Sequence, residues 1–285
     1  MRFCTIFYQG REQAAVGFNG GVLPLAEVNR VAEADFPTEL LAFIEADRLA
    51  HLKETIETGG AFAVMAEEEV EFRPPYRNPR KLWGIGLNYQ EHAADLNEKS
   101  PTDEPASFMK PHTTIIGPGD SIILPLQSRR VTAEAELGLV FGKVCKNVEE
   151  AGARDVLFGY TTIIDMTAED ILRKNPRFLT RAKSFDTFFS FGPWVTTVDE
   201  LPRDLGPVRV STVLNGEVKA TNTIDHMTFS PDFLVSFHSK VMTFYPGDII
   251  SSGTPGAVPI EDGDLVECRI DVPAFGVLRN KVVRP

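Results

Sequence analysis

The sequence predicts an α+β protein that is mostly β, with a small α+β unit at its N-terminal end. Three observations carry this. Gly-Asp turns lead directly into apolar strands at "GPGDSIILP" (117–125), "YPGDIISSG" (245–253) and "EDGDLVECRIDV" (261–272). "VRVSTVLNGEVKATN" (208–222) joins two alternating runs through Asn215-Gly216, the dipeptide that tight hairpins favour. Helical patterns are few and do not alternate with strands, which excludes a Rossmann or barrel arrangement.

Taken along the chain, residues 1–75 read as a separate small unit and 76–285 as the main domain. "RFCTIFY" and "AAVGFNGGVLPL" predict short strands around an Asn19-Gly20-Gly21 turn. "TELLAFIEADRLAHLKETIET" (38–58) has helical apolar spacing, with Thr38 placed to cap it. The charged, proline-rich run 67–81 predicts a connection with room for one short strand. Beyond it, "VEEAGARDVLFGY" (148–160) and "SPDFLVSFHSKVM" (230–242) predict helices. The second has Ser230 as N-cap, Pro231 at the first helical position and Asp232 in the first turn.

The chain has 285 residues and a net charge of −11. The sequence shows no contiguous Lys/Arg block, which argues against nucleic acid or an anionic membrane as a partner. Cys4, Cys145 and Cys268 are far apart and odd in number, so a disulfide framework or zinc site is not expected. A reducing compartment suits them, and no apolar run is long enough for a membrane span, which together predict a cytoplasmic protein.

"VTAEAELGLVFGK" (131–143) reads as a strand that carries Glu134 and Glu136 two residues apart. Period-two alternation puts both carboxylates on one face, roughly 7 Å apart. "GYTTIIDMTAED" (159–170) reads as a strand ending at Asp165, where a third carboxylate could join them. Three half-buried carboxylates repel unless a cation lies between them, and hard oxygen donors suit Mg²⁺, Mn²⁺ or Ca²⁺ better than zinc. A solvated sheet face would also account for a Glu-x-Glu pair, so these residues alone leave both readings open. Lys183 lies among Phe185, Phe188, Phe189 and Trp194, where desolvation is expected to lower its pKa. His92 and Asp95 stand at i, i+3, a spacing that lets a carboxylate orient an imidazole as a general base. The polar, breaker-rich run that follows predicts a mobile loop.

"GLNYQEHAADL", "FMKP", "EAELGLVFGK", "GYTTIIDMTAED", "RAKSFDTFFSFGPW", "LNGEVKATNT", "YPGDIISSGTPGAV" and "GDLVE", in this order over residues 82–285, resemble the fumarylacetoacetate hydrolase family. The resemblance implies a mixed β-sandwich roll with Mg²⁺ or Mn²⁺ held by Glu134, Glu136 and Asp165. It implies that Lys183 is the pocket lysine, and that Lys110 and Thr254 line the substrate site. His92 and Asp95 would form the catalytic dyad of the acylpyruvase-like branch, on a lid that orders over substrate. It also implies a homodimer. Where the family commonly reads "TARDxQ", with Arg and Gln touching substrate, this chain reads "TAEDIL", giving Glu169 and Leu172. A negative charge at Glu169 predicts a preference for substrates with a neutral distal group.

The expected activity is metal-dependent hydrolysis of a C–C bond in a 2,4-diketo acid. Oxaloacetate decarboxylation, isomerisation of an unsaturated 2-oxo diacid, and mere ion holding by a non-enzyme stand as alternatives.

Overall fold

The computed structural model describes residues 1–89 and 101–285. The chain opens with β1 (Arg2–Tyr8), β2 (Arg11–Phe18) and β3 (Gly21–Pro24). Asn19 and Gly20 link the last two at φ 48° and 77°, the left-handed pair that a two-residue hairpin turn requires. After α1 (Leu25–Ala32), the single helix expected over 38–58 is two, α2 (Leu40–Glu45) and α3 (Leu49–Thr58). Asp47 breaks it at φ 50°, and the bend lets Leu40, Phe43 and Ile44 bury together with Leu52 and Ile56. The short strand expected in the charged connection is β4 (Phe72–Arg73), which pairs with β1.

The main part begins with β5 (Leu82–Gly86), β6 (Ala106–Lys110), β7 (Ile115–Ile116) and β8 (Ser121–Ile123). The two longest strands follow, β9 (Val131–Phe141) and β10 (Leu157–Ala168). Between them the helix expected over 148–160 shrinks to one α-turn, α4 (Ala153–Val156), because the residues from Leu157 onward pair with β9 instead. β10 also runs three residues past Asp165, so that carboxylate lies inside the strand and not at its end. Next come α5 (Glu169–Lys174), α6 (Leu179–Lys183) and β11 (Phe189–Thr197). The Asn215-Gly216 hairpin joins β12 (Arg209–Leu214) to β13 (Glu217–Thr223) as expected. α7 (Pro231–Val241) starts where Ser230 accepts from the Phe233 amide at 3.1 Å. β14 (Ile249–Ser251), β15 (Val258–Ile260), β16 (Leu265–Ile270) and β17 (Val277–Val283) complete the chain.

The protein is mostly β, built as two mixed sheets packed face to face. The larger runs β3-β2-β1-β11-β10-β9-β14-β5-β6, and the smaller runs β13-β12-β16-β17-β8. β1 pairs with β11, so the first 75 residues extend the larger sheet. Their helices bury Phe43 and Ile44 in one cluster with Val140, Phe158, Ile163 and Ile249.

β9 has both faces buried, and its alternation divides two environments. Ala133, Ala135, Leu137 and Leu139 face the smaller sheet, in a core with Val210, Val266, Cys268 and Leu278. Thr132, Glu134, Glu136 and Val140 lie on the other face, which the N-terminal helices cover only at its Val140 end. Gly138 sits between Glu136 and Val140 on that face, and a Cβ there would stand 2.5 Å from Ile163 Cδ1. The three cysteines are buried and free. No helix among the described residues is long and apolar enough to cross a membrane.

Candidate active site

The β9–β10 register pairs Glu134 directly with Asp165 and leaves Glu136 two residues further along the same face. Oxygens of the three carboxylates all lie within 4.8 Å of one another, and all three residues are buried. The two glutamates therefore do not line a solvated sheet. Each is held by groups that the sequence reading did not single out. Thr167 Oγ1 donates to Glu134 Oε1 at 2.6 Å, and Thr132 Oγ1 to the same oxygen at 3.2 Å. Ser251 Oγ donates to Glu136 Oε2 at 2.5 Å and the Gly253 amide does so at 2.8 Å. Gly253 has φ +96° and its Cα lies against Asn88, where a Cβ would come within 2.8 Å of the Asn88 Cβ. Glycine there allows the amide to reach the carboxylate.

Two buried lysines complete the cluster. Lys183, at the end of α6, donates to Glu134 Oε2 at 2.9 Å and to Asp165 Oδ2 at 2.7 Å. Lys110, at the end of β6, donates to Asp165 Oδ1 and to the Met166 carbonyl, the latter at 3.2 Å. Their surroundings push them in opposite directions. Burial pulls Lys110 down to about 8, against the attraction of Asp165 and with help from the neighbouring Lys183 charge. Burial also works against the Lys183 ammonium, but Asp165, Glu134 and Glu136 outweigh it and hold its pKa above the ordinary lysine value. This corrects the lowered pKa expected from its aromatic neighbours, since carboxylates and not rings dominate its field. Glu136 is pushed up to about 8, first by burial and then by the charge of Asp165.

The donor set fits a hard divalent cation. Three carboxylates converge from two adjacent strands, and with all groups ionised two ammoniums leave one negative charge uncompensated. Among the described residues no thiol or imidazole belongs to the cluster, and oxygen-only donors suit Mg²⁺ or Mn²⁺.

Thr254 is buried nearby, but its hydroxyl closes a local turn, donating to the Gly256 carbonyl at 3.1 Å. Leu172 packs against the main core. The negative charge of Glu169, expected to stand where the family offers a positive contact, is paired in the structure. Its carboxylate pairs with Arg130 Nε and, at 2.7 Å, with Arg173 Nη2. Arg173 is four residues on along α5, and Arg130 is brought in by the β9–β10 pairing, a partner that local spacing does not reveal. His92 and Asp95, with the part of the expected lid from 90 to 100, lie outside the described residues. Just before them, buried Asn88 donates to the carbonyls of Phe229 and Ser252 at 3.0 and 2.8 Å and accepts from the Phe229 amide at 2.9 Å. The entry to that segment is thereby tied to the strand-end loop that supplies Gly253. "GLNYQEH" contains Asn88, but nothing in a single sequence marks it as buried.

The sequence signature described as "Fumarylacetoacetate (FAA) hydrolase C-terminal" matches residues 81–283. The chain is 32% identical over 276 residues to human oxaloacetate tautomerase FAHD2A, mitochondrial, covering 94% of this chain and 85% of that relative. Among solved structures, 5-carboxymethyl-2-hydroxymuconate delta-isomerase from Mycobacterium smegmatis is 31% identical, with a TM-score of 0.77 over 100% of this chain and 99% of that one. Maleylpyruvate hydrolase from Sphingobium sp. SYK-6, in complex with manganese(II) ion and pyruvate, is 26% identical and superimposes with a TM-score of 0.80, again over 100% and 99%. Because the signature spans most of the chain and the similarity to the human relative runs nearly end to end, this chain belongs to the fumarylacetoacetate hydrolase family.

Proposed function

We propose that this chain is a Mg²⁺- or Mn²⁺-dependent enzyme acting on a 2-oxo acid through its enolate, and that it hydrolyses the C–C bond of a 2,4-diketo acid. The observation that carries this reading is the buried cluster of Glu134, Glu136 and Asp165 with Lys110 and Lys183 on its rim. A divalent ion held there by the three carboxylates would act as a Lewis acid on the 2-oxo and carboxylate oxygens of the substrate. Two ammoniums and an ion against three carboxylates leave one positive charge, which the 1-carboxylate of a 2-oxo acid balances.

Lys183 has the fixed, charged N–H groups needed where negative charge collects as the C–C bond breaks. Its ammonium is fixed by Glu134 and Asp165, so it serves as an electrostatic stabiliser. Thr132, Thr167, Ser251 and the Gly253 amide fix the carboxylates in place before substrate arrives. In this reading His92, oriented by Asp95, takes the proton from the attacking water.

The human relative named as an oxaloacetate tautomerase, and the mycobacterial structure named as an isomerase, favour a second reading. The same enolate is reprotonated at carbon and no bond is cleaved. Product analysis separates the two. Incubated with Mn²⁺, the enzyme should convert an acylpyruvate to pyruvate and the free acid. Unchanged acylpyruvate alongside faster enol–keto exchange of oxaloacetate would replace hydrolysis with tautomerisation.

A further inference from the structure

Leu87 has φ 55°, a left-handed backbone that a bulky side chain rarely adopts. Such strain persists where the surroundings over-determine it, and the next residue shows what does so here. Asn88 is 1% exposed and lies between two loops that are distant in sequence. Its two amide N–H groups go to the Phe229 and Ser252 carbonyls, and its side-chain oxygen accepts from the Phe229 amide. Its backbone carbonyl accepts from the Thr228 amide at 2.7 Å. Ser252 is gripped from both sides, since its own amide donates to the Leu137 carbonyl at 3.0 Å. The Ser252 carbonyl held by Asn88 belongs to the same peptide unit as the Gly253 N–H, which donates to Glu136 Oε2. A trans peptide points its C=O and N–H in opposite directions, so one plane joins Asn88 at one end to Glu136 at the other. Gly253, at φ +96°, is the residue type most tolerant of a rotation of that plane, and the hydrogen bond from Asn88 opposes it.

We infer that Asn88 is a positioning residue of the acidic cluster: it fixes the plane of the 252–253 peptide and, through the Gly253 amide, the orientation of the Glu136 carboxylate. The inference rests on the reading of the cluster as a divalent-cation site. Among the described residues, the side-chain hydrogen bonds that Glu136 accepts, from Ser251 Oγ and the Gly253 amide, both fall on Oε2. That leaves Oε1 to meet an ion, and it does so only while the two donors hold the carboxylate in one rotation. Asn88 touches none of the three carboxylates, so its effect on them passes entirely through the peptide that it grips.

The test compares Asn88→Ala with Asn280→Ala. Asn280 is equally buried, and its side chain bonds Ser190 Oγ and the Gly117 and Asp120 carbonyls, away from the cluster and from the 252–253 peptide. A merely structural asparagine should therefore behave alike at both positions. In metal-free protein, NMR follows exchange of the Gly253 amide against the slowest amides of β9 and β10. That relative rate should rise at least about tenfold in Asn88→Ala and stay at its wild-type value in Asn280→Ala. Mn²⁺ calorimetry should give a Kd about tenfold weaker in Asn88→Ala, the low end of what metal sites lose with an outer hydrogen bond, and within about twofold of wild type in Asn280→Ala. Asn88→Ser carries the same comparison if the alanine variant does not fold. Gly253 exchange or Mn²⁺ affinity left unchanged by the Asn88 variant, or equal effects of the two alanine variants, overturns the inference. If wild type binds no Mn²⁺ while Gly253 exchange still follows Asn88, the positioning of Glu136 stands and the divalent-cation reading falls.

Discussion

Asp165→Ala is expected to destabilise the protein by about 3–5 kcal/mol, the cost of leaving buried charge without its partner. Asp165 is fully buried, and its two oxygens receive the ammoniums of Lys110 and Lys183 separately. Removing it takes away the ion-pair partner of Lys110 and leaves Lys183 with Glu134 alone, in a site where burial already weakens the hold of Lys110 on its proton. Glu136→Gln should cost far less, since burial and the charge of Asp165 already favour the neutral acid, of which glutamine is a close copy. Urea denaturation without added metal measures both variants. Equal losses would show that Asp165 is not the hub of the cluster.

Lys183→Met should lower kcat by about 10²–10³-fold, the usual effect of removing one preorganised donor from developing negative charge. KM should move only a few-fold, because the substrate's chelating end is held elsewhere. Methionine keeps most of the volume beside Phe108, whose ring lies 4.7 Å from the Lys183 ammonium. Steady-state kinetics at saturating Mn²⁺ decides it. A fall in kcat of less than about tenfold would move Lys183 from stabilising charge to neutralising the resting cluster.

How far the sequence could be read depended on whether the deciding contact was local. The Asn215-Gly216 hairpin and the Ser230 cap were legible because neighbouring residues impose them. The face shared by Glu134 and Glu136 followed from alternation alone. The extent of β10 was not legible, because Leu157 and Ala168 are strand only through pairing with β9. The same applies to the break at Asp47, which follows from two apolar faces docking on one sheet. At the site, residue types pointed to the carboxylates and Lys183, but Thr167, Ser251 and Asn88 are ordinary residues that matter through partners 33 to 141 positions away. Charge was misread for the same reason. No basic block exists in the linear sequence, yet Arg129 and Arg130 join Arg173, Lys174, Arg177 and Arg181 at one end of β9 and β10. Glu169, read as a negative charge from its place in "TAEDIL", is paired with Arg130 and Arg173 in that patch.

The central claim is that Glu134, Glu136 and Asp165 form one divalent-cation site, and Mn²⁺ calorimetry on wild type and Glu136→Gln tests it most directly. Wild type should bind one Mn²⁺ per chain. Near pH 7 binding should release a proton, since the ion displaces the one that Glu136 retains up to about 8. Glu136→Gln, still folded, should lose that binding together with the proton release. Equal Mn²⁺ binding by the two proteins would contradict the account.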